Sequence, residues 1–256
     1  MPPAPPSPPL SYTTAPAVLP YTLRFHPYRP SSSPHHTHRL CVSAAVLAPA
    51  PAAPSTSAGG AAATPRILLL RRSAREKALP HRWELPGGGA DPPDRDALAA
   101  AARELWEETG LRAARFVALV GCYQWEGAGP GVPATAVPGD QGWGLADGGV
   151  GVGVVEASSA AANTKEADTM AAEAAGAAAG RDTWRKYTYL VEVEAAAGEE
   201  GAAAEVVVDP EEHDAFVWAT EEEVRAGRCG RVVFEWTSDA QRLDVLRAFE
   251  VANRKR

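Results

Sequence analysis

The chain has 256 residues, 23 Pro, 23 Gly and a formal net charge of −7, so part of its length cannot pack and the folded mass is expected to be nearer one domain of about 150 residues. No basic stripe is available for a phosphate backbone, which excludes general nucleic-acid binding, and no apolar run approaches the roughly 20 residues that span a bilayer. Three widely spaced cysteines, Cys41, Cys122 and Cys229, with no Cys-x-x-Cys pair, oppose a disulfide framework or a structural zinc site and fit a reducing compartment.

Residues 1–37 are rich in Pro, Ser and Tyr and predict a disordered arm. The N-terminus lacks a basic region followed by an apolar one and does not read as a secretory signal. It holds no acidic residue before Glu76, as a mitochondrial transit peptide would, but its prolines oppose the amphipathic helix such a peptide needs. The expected compartment is the cytosol, with the mitochondrion as the lesser alternative. Arg39 to Leu47 reads as a first strand and residues 48–64 as a Pro/Ala/Ser/Gly connection. Arg66 to Arg72 is a short apolar run ending in bases, the pattern of a buried strand. Arg71 and Arg72 read first as surface ion-pair partners and second as substrate contacts. Trp83 opens a strand into the run Leu85-Pro86-Gly87-Gly88-Gly89.

A helix is predicted over 94–109, capped by Asp94 or Asp96 after Pro92-Pro93 and closed by Gly110. Leu98, Ala101, Ala102 and Leu105 form its apolar stripe. A strand over Phe116–Trp125 follows, then a low-complexity Gly/Val/Ala/Ser stretch at 127–182, read as a flexible insertion within the domain. Beyond Trp184, Tyr187, Tyr189, Val191 and Val193 alternate with Lys186, Thr188, Leu190 and Glu192, a two-residue period. Val206-Val207-Val208 and Ala215 to Trp218 read as short strands. Thr220-x-x-Glu223 is a capping box closed by Gly227, and Ser238-x-x-Gln241 opens a terminal helix with Leu243, Leu246 and Phe249 on its buried side. Strands with helices for both faces give an α/β protein, a three-layer α/β/α sandwich spanning 38–256.

The chemistry concentrates in Arg103-Glu104-Leu105-Trp106-Glu107-Glu108-Thr109-Gly110-Leu111. On a helix, Glu104, Glu107 and Glu108 stand at i, i+3 and i+4 and share one face, where like charges repel. Such a cluster beside a glycine run calls for a cation, and oxygen ligands suit Mg²⁺ or Mn²⁺. An exposed acidic face on an amphipathic helix is the plainer alternative. Arg103 and Glu107 are spaced for an i to i+4 ion pair.

Gly89, Arg103, Glu104, Leu105, Glu107, Glu108, Gly110 and Leu111 stand in the register of the Nudix box, and the chain resembles the Nudix hydrolases over roughly 38–126 and 183–256. One position departs: Arg95 stands where the box has its first Glu, with Asp94 and Asp96 flanking it. In the family that Glu mainly supports the loop-helix geometry and the box arginine. The resemblance implies the Nudix three-layer sandwich on a mixed sheet. It also implies a pyrophosphohydrolase acting on an acid anhydride of phosphorus, in which water attacks the diphosphate of a nucleoside diphosphate derivative with Mg²⁺ or Mn²⁺ as cofactor. Glu104 and Glu108 would hold the metal, with Glu107 a ligand or a base through water. A glycine-loop carbonyl, Gly88 or its neighbour Gly87, and a later glutamate, Glu212 before Glu211, would complete the site. Arg103 would orient the carboxylates, so Glu107, Glu108 and Arg103 form the catalytic set. The partner implied is a small nucleotide-type molecule; no membrane is involved, and a homodimer is compatible with the family. Arg95 keeps an alternative open, a catalytically impaired Nudix-like nucleotide-binding or regulatory module. No further motif chooses among substrates.

Overall fold

A computed structural model describes residues 11–23, 39–48, 64–91, 93–126, 131–136, 183–195 and 205–254. The strands that matter here are β1 (Thr13–Thr14), β2 (Arg39–Ala48), β3 (Arg66–Arg72), β4 (Trp83–Glu84), β5 (Ala113–Glu126), β6 (Val132–Pro133), β7 (Thr183–Val193) and β8 (His213–Thr220). The helices are α1 (Ala97–Thr109), α2 (Glu221–Ala226) and α3 (Asp239–Asn253). Eight strands form one sheet in the order β1-β5-β7-β2-β3-β4, with β6 on β5 and β8 on β3. It is mixed, because β2 and β7 run parallel while β5 runs antiparallel to β7 and β3 to β2.

Both faces of the sheet are buried, and successive residues divide between two cores. Val42, Ala44 and Val46 of β2 and Leu68 and Leu70 of β3 pack with the α1 stripe of Leu98, Ala101, Ala102 and Leu105. Ala45, Ile67 and Leu69 turn the other way onto Val224 of α2 and Val245, Ala248 and Phe249 of α3. This is the expected three-layer sandwich. The alternation along β7 sorts residues between two interiors, Tyr187, Tyr189 and Val191 on one and Leu190 on the other. The terminal helix is rotated from the expected setting: Leu243 is exposed, while Val245 and Ala248 join Phe249 inside. Val206 to Val208 form no strand; Val206 and Val208 lean on the α1 core, and Val207 N donates to Thr109 O at 2.9 Å.

The N-terminal expectation needs correcting. Residues 11–23, assigned to a disordered arm, are packed: Val18 and Leu23 are fully buried, and β1 pairs parallel with β5. Tyr12 sets its ring edge-on to Phe116 at 4.9 Å, and the carbonyls of Thr22 and Leu23 accept from Ala97 N, a donor that α1 cannot satisfy itself. Burying two aliphatic side chains is worth about 1.5–3 kcal/mol each, which with the ring contact and the backbone bonds to β5 and α1 helps offset the entropy of ordering this segment. The rest of that arm, 1–10 and 24–37, lies outside the described residues. So does the proposed insertion at 127–182 except for 131–136, where β6 pairs with β5 and Ala134 N bonds Cys122 O at 2.9 Å.

One irregularity sets up the site. β2 and β3 pair only at Leu47↔Ile67 and Ala48↔Arg66, then diverge. The glycine run fills the wedge and zips along β2: Ala44 N donates to Pro86 O, Val42 N to Gly88 O and Ala90 N to Leu40 O, at 2.9–3.0 Å. Gly87 has φ +146°, and a Cβ there would lie 2.1 Å from Val42 O. Only glycine lets the loop come this close.

Candidate functional site

α1 is placed by its ends. Asp96 is the N-cap, its Oδ1 accepting from Ala99 N at 2.8 Å, and Gly110 closes the helix at φ +69° with its N–H on Trp106 O. The alanine stripe lies against β2, which swings Glu104 and Glu108 under the glycine loop. Both carboxylates are buried, at 8 and 4 % exposure. Glu108 Oε2 accepts from Gly87 N at 2.7 Å. A Cβ on Gly88 would sit 2.7 Å from Glu104 Oε1, so a side chain there would displace that carboxylate. Glu107, one step round the helix, is half-exposed and pairs with Arg103 Nη1 at 2.8 Å.

Arg103 ties loop to helix. Its Nε and Nη2 take both oxygens of Asp94 at 3.1 and 2.9 Å, Nη2 also donates to Gly89 O at 3.0 Å, and Nη1 meets Glu104 and Glu107. Asp94 is buried and stands beside the vacant box position. It supplies the two-pronged carboxylate, while Arg95 points outward to Asp96 and the hydroxyl of Tyr12.

The later acidic turn is drawn in by backbone bonds from the end of α1. Asp209 N reaches Glu108 O at 3.4 Å, Ser73 N takes Glu212 O at 2.8 Å, and His213 N takes Asp209 O at 2.7 Å. As a result Glu108, Glu212 and His213 offer ligand atoms within 4.8 Å of one another. Glu211 instead pairs with Arg75. Glu104 and Glu107 lie outside that closest group. Among the loop carbonyls, Gly88 O is engaged by Val42 N and Gly89 O by Arg103, whereas Gly87 O makes no hydrogen bond among the described residues.

The carboxylates are strained electrostatically. Burial pushes Glu104 up to about 7; Arg103 opposes this and Glu107 and Glu212 add to it. Burial also raises Glu108 well above the carboxylate range, reinforced by Glu104 and Glu84, against the Gly87 N–H. Glu212 is raised, again first by burial. A cation held by these carboxylates would relieve the crowding, and carboxylate oxygens are the donors that hard divalent ions take.

Three participants were not singled out from the sequence. Glu84 is buried directly before the glycine run. Burial raises its pKa, but His213, Lys186 and Arg72, the last at 2.6 Å, outweigh it and hold the carboxyl at about 2. His213 is fully enclosed with Nε2 3.5 Å from Glu84 and Nδ1 3.9 Å from Glu108. Neither of its nitrogens makes a hydrogen bond among the described residues. Lys186 is 4 % exposed and lines a cleft of about 420 Å³ that meets the acidic cluster along Gly87–Gly89. Tyr123 and Trp125 both line this cleft, and Arg72 joins them from its ion pairs with Glu76 and Glu84. Arg71 pairs with Asp214. The one sequence signal for Lys186 was its place two residues after Trp184 on an alternating strand.

A family model for the NUDIX domain matches residues 54–145. The match places a NUDIX domain over that span of the chain. Among curated relatives, an RNA pyrophosphohydrolase of Bartonella tribocorum is 54% identical over 52 residues, which is 20% of this chain and 28% of that protein. The chain thus spans little more than a quarter of that relative's length. Among solved structures, a MutT protein from Methanosarcina mazei Go1 is 17% identical, with 84% of this chain and 95% of that one covered at a TM-score of 0.43. A C. elegans Ap4A hydrolase is 14% identical, with 85 and 99% covered at 0.42. Among the described residues no helix is long and apolar enough to cross a membrane.

Two predictions follow from this geometry. Asp94→Asn keeps size but removes the charge that holds Arg103. If the site turns over substrate, it should cost about 10- to 100-fold, the usual effect of losing such a support, whereas Arg95→Glu on the exposed side should change little; steady-state kinetics of the two variants distinguish them. The second concerns pH. Glu104 binds its proton more tightly folded than unfolded, so the stability of metal-free protein is full below the ordinary carboxylate pKa of 4.5 and is lost as pH rises through about 7. Glu84 acts in the opposite sense, but below that window. Thermal melts of metal-free protein should therefore fall between pH 5 and 8 and recover when Mg²⁺ or Mn²⁺ is added at pH 8. A midpoint that stays flat or rises contradicts the assignment.

Proposed function

We propose that this protein is a divalent-metal-dependent hydrolase that cleaves the diphosphate linkage of a nucleoside diphosphate derivative by attack of water on phosphorus. The observation that carries the reading is the convergence of buried Glu104 and Glu108 beneath a glycine loop, with Glu212 drawn to Glu108 from a separate turn. Carboxylates this crowded and desolvated are costly to ionise alone, which a protein with no cation to hold would avoid.

Glu104, Glu108, Glu212 and a glycine-loop carbonyl are the proposed ligands. Gly88 was the expected donor; its carbonyl has one lone pair left beside Val42 N, and Gly87 O is the less engaged alternative. Bound Mg²⁺ or Mn²⁺ offsets phosphate charge and lowers the pKa of its water. Glu107 is half-exposed and faces solvent next to the cluster, which suits it to accept a proton from the attacking water or to reach a second cation. Arg103 is a positioning residue: its Nη1 bridges Glu104 and Glu107, and its Nη2 fixes the loop through Gly89 O. His213 separates Glu84 from Glu108 and keeps water from that side.

The alternative of a nucleotide-binding module without turnover rested on Arg95. The Asp94–Arg103 pair supports the hydrolase reading instead, since the box arginine has its carboxylate. The name of the RNA pyrophosphohydrolase relative describes the same chemical class, so RNA belongs in any substrate screen beside small nucleoside diphosphate derivatives.

In such a screen with Mg²⁺ and Mn²⁺, the wild type should release a monophosphate product from at least one compound. Glu108→Gln should lower turnover by about two orders of magnitude or more at unchanged folding. Equal turnover by mutant and wild type would remove the cluster from the mechanism.

A further inference from the structure

The floor of the cleft is an ordered array on one sheet face. Strand register places Arg39, Trp184 and Trp125 side by side across β2, β7 and β5, and Cys41, Lys186 and Tyr123 side by side two residues further in, roughly 7 Å along the strands. In the outer row the two indoles are parallel within 5°, with centroids 5.9 Å apart, and the Arg39 guanidinium lies 5.2 Å over Trp184. That spacing is too small to admit a ring between the indoles, so they form a wall. The inner row holds a buried cation. Lys186 lines the cleft, yet among the described residues it makes no ion pair with a carboxylate. Tyr123 beside it is committed, its hydroxyl donating to Gln241 Oε1 of α3 at 2.8 Å.

An enclosed ammonium is costly unless something accepts from it. The occupant could offer a phosphate oxygen or a neutral carbonyl. The acidic cluster at Glu108 and Glu212 locates the diphosphate, which leaves the part of the cleft lined by Lys186, Tyr123, Trp125 and Trp184 to the base, a neutral acceptor. The wall of indoles suits a flat ring, and the cleft volume suits a single base with its sugar. Lysine has three donors and no acceptor, so it reads a ring carbonyl and is repelled by an exocyclic amine at the same place.

We propose that Lys186 is a specificity-determining residue whose ammonium donates to a ring carbonyl of the substrate base, and that the cleft accordingly prefers keto purines, hypoxanthine and guanine, to adenine. The proposal deepens the hydrolase reading and rests on it for the location of the diphosphate. Calorimetric titration of the full chain with IDP, GDP and ADP in the presence of Mg²⁺, beside turnover of the matching derivatives, tests it. A charge-assisted hydrogen bond of this kind should favour the keto bases by about ten- to a hundredfold. Lys186→Met should lose that preference by weakening IDP and GDP while leaving ADP little changed. Lys186→Gln, whose amide both donates and accepts, should bring ADP up towards IDP and serves if the Met variant does not fold. Equal binding of IDP and ADP by the wild type overturns the proposal, as does a Lys186→Met loss shared equally by all three, the mark of a phosphate anchor. Turnover without a keto preference sinks this inference alone. A keto preference in binding with no turnover of any compound sinks the hydrolase reading and leaves the base-reading role standing.

Discussion

The structure depends on holding several carboxylates out of water at one place. Glu84, Glu104 and Glu108 are each less than a tenth exposed, and the other two both push the Glu108 carboxyl towards its protonated form. Their mutual repulsion has to be resisted by covalent and packing constraints elsewhere. The resistance comes from two sides. The α1 alanine stripe is locked against β2, and the glycine run is zipped along the same strand by three backbone bonds. Arg103 then joins the two by reaching Asp94, Gly89 O, Glu104 and Glu107 at once.

That arrangement explains why the sheet opens. If β2 and β3 paired along their full length, the loop would have nowhere to lie and Glu104 and Glu108 would face a continuous sheet. The divergence after Leu47 and Ala48 creates the wedge, and Gly87 and Gly88 are the residues thin enough to occupy it. The same opening exposes the β2–β7–β5 face that carries Trp184, Trp125 and Lys186. One departure from regular pairing thus supplies both the acidic cluster and the cleft beside it.

Much of this was legible in the sequence because it depends on local spacing. The α1 cap at Asp96 and stop at Gly110, the i, i+3, i+4 glutamates, the Thr220 capping box and the Ser238 cap all follow from short-range rules and were found in place. Features set by tertiary contact were not. Tyr12, Val18 and Leu23 are embedded in a Pro-rich segment whose composition reads as disorder, and the α1-side core, the start of α1 and the ring of Phe116 give them something to pack on. The setting of α3 turned on Asp244, whose buried carboxylate accepts from Thr188 at 2.7 Å over the gap left by Gly121; that bond draws Val245 inward and turns Leu243 out. Glu84 and Lys186 carry no local signal beyond their neighbours Trp83 and Trp184. At Arg95 the sequence showed a missing carboxylate, and the loop's curvature supplied Asp94 in its stead.

The central claim is that Glu104, Glu108 and Glu212 surround a site for a divalent cation at the glycine loop. Anomalous diffraction from crystals grown with Mn²⁺ tests it most directly. A single strong peak should appear within coordination distance of Glu108 and the Gly87–Gly88 backbone, with Glu104 or Glu212 turned towards it. Mn²⁺ bound only at surface carboxylates, with Glu104 and Glu108 still buried and unliganded, would contradict the account.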